Sequence, residues 1–228
     1  MLKRIALSAL TLGAIALAQP AFASFHLMQI EQVIGGVNGD TSRQAIQLRM
    51  RTSGQNLVTA GQLVAWNAAG TNPVLLLDIP SNVPVSTDGA RVLIATSNFL
   101  PGLTPDFVMT TPIPASYLAA GKITFESDGT FGSAVWWGLA WGGATYTGTN
   151  LGFTVAQGGN DANGDFNPPF AGPLPSSNTQ ALRFTGAAGA LSTTNAADYA
   201  LTPGAAVFTN NAGGNGTVPV ELMEFKVQ

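Results

Sequence analysis

The segment QAIQLRMR (44–51) alternates residue by residue, with Ile46, Leu48 and Met50 apolar and Gln47, Arg49 and Arg51 polar. A period of two predicts a strand with one face packed and the other wet. Similar runs occupy 25–34, 63–66, 74–79, 91–96, 123–125, 151–155, 182–184 and 223–227. Asn-Gly, Asp-Gly and proline-rich turns separate them at intervals of roughly ten residues, the spacing of a sandwich or barrel and not of βαβ units. Two short segments read as helical. One is 115–120, ended by Gly121; the other is 195–201, entered after Thr193-Thr194 and ended before Pro203. The stretch 158–178 reads as a long polar loop, rich in Gly, Asn, Asp and Pro.

The run AVWWGLAWGG (134–143) holds three of the four tryptophans. On a strand, Val135, Trp137, Leu139 and Trp141 share one face and Trp136, Gly138, Ala140 and Gly142 the other. The first set is an unbroken apolar stripe, which predicts core and not an exposed sugar platform. Trp136 is left as the one surface contact.

The N-terminus changes the picture. Lys3 and Arg4 precede the apolar run 5–18, and Ala21-Phe22-Ala23 follows as an A-x-A cleavage site. This order predicts a signal-peptide helix over 1–23 and a single domain over 24–228. The expected destination is export to periplasm, cell surface or medium of a bacterium. No later apolar run is long enough to span a bilayer, so no membrane span is expected. The chain has no cysteine, which excludes disulfide staples and Cys-type zinc sites.

Formal charge is −3, and the signal segment takes two positive charges with it. Basic residues are scattered, and only Arg49 and Arg51 are expected to share a strand face. No basic patch for nucleic acid is visible in that distribution. His26 is the lone histidine. A Ser-His-Asp arrangement would have to use it, and no G-x-S-x-G elbow is present, so His26 reads as structural or surface. No catalytic residues are assigned and no enzyme is expected.

One loop stands apart. In GGNDANGDFNPP (158–169), Asp161, Asn163 and Asp165 follow an i, i+2, i+4 spacing that suits a hard cation such as Ca2+. Phe166 fills the place where an EF-hand needs Gly, and Gly172 the place where it needs Glu. The loop therefore reads first as an Asx-rich turn and second as a weak Ca2+ site; no other cofactor is expected. The ending VPVELMEFKVQ (218–228) puts Met223, Phe225 and Val227 on one face, as in a closing strand; a tail is the alternative.

Several blocks together resemble the lamin-tail-like domain of secreted bacterial proteins. FHLMQIEQVIGG (25–36) precedes QAIQLRMRTSGQNLV (44–58), which stands where the family carries an E-Y-I-E-L strand. GQLVAWNAAG (61–70) follows, then GARVLIATSNF (89–99), which is similar to the family's G-x-x-L-L-I-A strand. AADYALTPGAAVFTNNAG (196–213) is similar to its D-F-x-L-x-T-P-G closing segment. Gln44 and Gln47 stand where glutamates are usual. The resemblance implies an all-β, immunoglobulin-like β-sandwich, here elaborated with extra strands and long loops. It also implies a non-catalytic binding or targeting role. The expected partner is an extracellular protein, a polysaccharide or a cell-surface component. Two other functions fit the composition. A self-assembling surface-layer protein would suit the low charge of 9% and the absence of cysteine. A carbohydrate hydrolase would need two carboxylates facing each other across a cleft.

Overall fold

The computed structural model describes residues 25–148, 159, 167–191 and 194–220. The expected signal segment 1–23, the run 151–155, the residues Asp161, Asn163 and Asp165 and the run 223–227 lie outside the described residues.

The chain is an all-β sandwich. Its strands are β1 (Met28–Ile34), β2 (Ala45–Met50), β3 (Gly61–Asn67), β4 (Val74–Asp78), β5 (Arg91–Ala95) and β6 (Phe107–Val108). They continue with β7 (Gly121–Ser127), β8 (Val135–Trp141), β9 (Leu182–Phe184), β10 (Tyr199–Leu201), β11 (Val207–Thr209) and β12 (Asn215–Thr217). One sheet runs β10-β9-β1-β2-β5-β6 and the other β4-β3-β7-β8, with β11-β12 as a separate hairpin. All pairings are antiparallel except β5 with β6.

The interior forms between the facing sides of the two sheets. Met28, Ile30, Ile46, Leu48, Val92 and Ile94 meet Leu63, Ile123, Phe125, Trp137, Leu139 and Trp141 there. The tryptophan stripe is core as its alternation predicts: Trp137 and Trp141 are fully buried, while Trp136 on the opposite face is half-buried. The Trp137 indole N–H donates to the Tyr199 hydroxyl (2.7 Å), which donates on to the Ile30 carbonyl (2.6 Å). This chain ties β8, β10 and β1 together across the sandwich and leaves no buried donor idle.

The six-stranded sheet is covered on its other side as well. Ile34, Ala45, Leu93 and Ala95 pack there against Phe99, Leu100, Leu103, Phe208 and Val218, from the loop after β5 and from the β11-β12 region. The face of β2 expected to be wet is therefore dry, with Gln47 2% and Arg49 8% exposed. Arg49 and Arg51 also part company. Arg51 lies past the end of β2, its guanidinium 5.6 Å from the ring centroid of the interior Trp137.

Local signals were partly overruled. The 115–120 segment is a single 3-10 turn, Ala115–Tyr117. The 195–201 segment divides into one helical turn, α1 (Asn195–Asp198), and β10. Thr194 caps the turn by accepting from the Ala197 N–H, as its side-chain type predicts. The helix stops at once because Tyr199 and Leu201 find a ladder partner in β9.

Candidate functional site

The outer face of the six-stranded sheet holds a charged cluster beneath the β11-β12 hairpin. It begins with an irregularity in β1. Regular pairing stops between Ile30 and Gln32, so Glu31 and Gln32 are both accommodated opposite Gln47. A bulge of this kind sets two consecutive side chains on the same side of the sheet. Glu31, only 1% exposed at its side chain, becomes the centre.

Three arginines from three strands converge on this carboxylate. Arg91 of β5 grips it with both arms, Nε to Oε2 at 2.7 Å and Nη2 to Oε1 at 3.0 Å. Arg49 of β2 places Nη1 3.2 Å from Oε1. Arg183 of β9 stands off, with Nη2 3.7 Å from Oε1. Gln47 donates a further hydrogen bond to Oε2 at 2.7 Å. The ring around this centre is closed by amides. Gln29 accepts from Arg49 Nε (2.6 Å) and donates to the Ala188 carbonyl (3.0 Å). Gln32 donates to the Val207 carbonyl (2.7 Å), and Gln47 accepts from the Thr209 N–H (2.6 Å). The hairpin and the 186–190 turn are thus pinned over the sheet by the polar residues of its own face.

The electrostatics are unbalanced. One carboxylate faces three guanidiniums, and the bonds to Glu31 raise the Arg91 pKa while burial lowers that of Arg49. Arg91 and Arg183 reach solvent, at 32% and 49% exposure, on either side of the buried centre. Each lines a surface depression. The one at Arg183 holds about 290 Å³ and includes Gly186, Ala200, Leu201 and Pro203. The one at Arg91 holds about 230 Å³ and includes Asp88, Asn210 and Asn211.

A second buried polar strip lies on the outer face of the four-stranded sheet. Glu126 is fully buried. Its Oε1 accepts from Gln62 Nε2 (3.0 Å) and the Gly132 N–H (3.1 Å), and its Oε2 has no partner. Burial raises its pKa. Lys122 sits 5.0 Å from the Trp66 ring centroid, and burial pushes its pKa down to about 8. His26, the lone histidine, stacks obliquely on Trp136 with centroids 4.7 Å apart. Its pKa is lowered by burial and by Arg51. It is placed as an aromatic neighbour of Phe25 and Trp136.

Among the described residues no group of three or more His, Asp or Glu side chains is gathered as a metal site, and no helix is long and apolar enough to cross a membrane. The Glu31 centre is absent from the residues singled out by sequence. Its arginines lie far apart along the chain, and each alone looks like a solvated charge. The one local signal is the doublet Glu31-Gln32, which breaks an otherwise regular alternation.

The chain matches no family model, no curated protein and no solved structure.

Proposed function

We propose that this chain is an exported, non-catalytic binding module of lamin-tail-like type that holds an acidic ligand on the outer face of its six-stranded sheet. The observation carrying the reading is the surplus of positive charge at Glu31. Arg91, Arg49 and Gln47 occupy the carboxylate, while Arg183 stands off at 3.7 Å and half in solvent. A guanidinium pairs with a planar acidic group through two parallel bonds, and the solvent-facing Arg183 is placed to do so. The sandwich supports the reading by fixing the three arginine-bearing strands in one register. Export rests on the order of charge, apolar run and cleavage site at the N-terminus.

The test is isothermal titration of the full chain with polyglutamate, polygalacturonate and neutral dextran, at low and high salt. The expected outcome is binding of the two acidic polymers that weakens with salt, and no binding of dextran. Equal binding of all three, or binding indifferent to salt, overturns the reading.

A further inference from the structure

We infer that the acidic ligand is an extended peptide, which adds to the open edge of the six-stranded sheet at β10 and places a carboxylate on Arg183. This rests on the acidic-ligand reading and narrows it.

The first ground is the state of Arg183. The carboxylate at the centre is already filled by Arg91, Arg49 and Gln47, and among the described residues no group accepts a hydrogen bond from Arg183. Its fork is therefore available to a planar acid in two-bond geometry. Among the described residues no carboxylate lines the depression beside it. The Arg91 depression differs on both counts, because Arg91 is spent on Glu31 and Asp88 shares its lining.

The second ground is the backbone of β10. Thr202 donates its N–H to the Ala181 carbonyl (2.9 Å), and Thr185 donates to the Asp198 carbonyl (2.8 Å). Residues 198, 200 and 202 thus turn their peptide groups toward β9. By the alternation of an antiparallel ladder, Leu201 turns its N–H and C=O outward, and Tyr199 its C=O. The Tyr199 N–H is taken by the Asn195 carbonyl. Among the described residues no strand pairs beyond β10, and Leu201 is 44% exposed on it. An open edge of this kind pairs with a peptide main chain, which gives affinity, while flanking side chains give selectivity.

The third ground decides between a peptide and an acidic sugar. Besides Arg183, the depression offers Leu201, Pro203 and Ala200, and its threonine hydroxyls are engaged. Thr185 donates to the Asp198 carbonyl (3.1 Å) and Thr202 to the Gly204 carbonyl (2.8 Å). The polar groups left there are the Leu201 N–H and C=O and the Tyr199 C=O, set along the edge at ladder spacing; a peptide main chain matches that spacing and the hydroxyls of a sugar ring do not. A strand of alternate acidic and apolar side chains also matches Arg183 and Leu201. Ala200 is the residue paired with Arg183 across the ladder, and its methyl is small enough to let an acidic side chain from an added strand reach the guanidinium.

The experiment titrates the full chain with a blocked peptide, Val-Glu-Val-Glu-Val-Glu, with its Val-Gln counterpart, and with oligogalacturonate. Heteronuclear NMR follows the Leu201 amide and the Arg183 Nε–H. The Glu peptide is expected to bind and to shift both signals. Arg183→Gln and the Val-Gln peptide should each weaken binding roughly tenfold or more, the scale of a lost charge-assisted pair. Leu201→Pro removes only an outward N–H, so the sheet retains its ladder while peptide affinity falls. If oligogalacturonate binds with the same dependence on Arg183 and the peptide does not, the peptide assignment is overturned and the acidic-ligand reading stands. If Arg183→Gln changes the binding of neither, both are overturned.

Discussion

Replacing Glu31 by Gln is the sharpest perturbation of the charged face. The substitution keeps the shape and removes the one negative charge at the centre. Arg49, 10% exposed at its side chain, then stays buried beside Arg91 with no counterion among its contacts. Two unit charges about 4 Å apart interact by about 4 kcal/mol at an effective dielectric of 20. Arg91 and Arg183 are partly solvated, so their share is screened and small. Arg49 carries most of the loss, and breaking a buried pair from one side costs about 3–5 kcal/mol. The bidentate grip of Arg91 and the Gln47 bond to Oε2 also become weaker neutral contacts. The expected loss is therefore about 3–5 kcal/mol, a large part of an ordinary domain's stability. Urea unfolding followed by tryptophan fluorescence measures it. The double variant Glu31→Gln/Arg49→Met should recover part of the loss, because it removes the stranded charge. A single-variant loss below about 1 kcal/mol, the scale of an exposed pair, would refute the reasoning.

Trp137→Ala should cost about 3–5 kcal/mol in a melting or urea experiment and Trp136→Ala clearly less, because only Trp137 is fully buried and bonded to Tyr199. Glu126 has a raised folded pKa, so the native state holds its proton more tightly than the unfolded chain does, and its contribution to stability falls as pH rises from about 4.5 through that raised value. Glu126→Gln should remove this part of the slope, seen as a stability difference from wild type that changes with pH over that window. If the 158–169 loop binds Ca2+, millimolar calcium should raise the melting temperature over chelator in wild type and not in Asp161→Ala; identical curves leave it an Asx-rich turn.

How much of this was legible beforehand follows from the range of each force. The run 44–51 announced its strand because alternation is a local consequence of the pleat, and 74–79 and 91–96 announced theirs as short apolar runs; the sandwich follows once many such runs must be buried. The tryptophan stripe was legible for the same reason. Short elements were not. Residues 199–201 carry helix-compatible side chains yet form β10, because a ladder partner from β9 outweighs the propensity of three residues. Burial of the second sheet face was equally hidden. Gln47 and Arg49 look like wet positions, and only the hairpin arriving from 204–218 and the 186–190 turn make them dry.

The sequence by itself determined an all-β chain, the strands with clear alternation and the tryptophan core, since each depends on neighbours within a few positions. The tertiary structure alone decided the charged centre. Glu31, Arg49, Arg91 and Arg183 come from four strands, and their meeting depends on sheet order, on register and on one bulge between Ile30 and Gln32. Electrostatic attraction acts through space, and a pattern read along the chain does not contain the distances over which it acts.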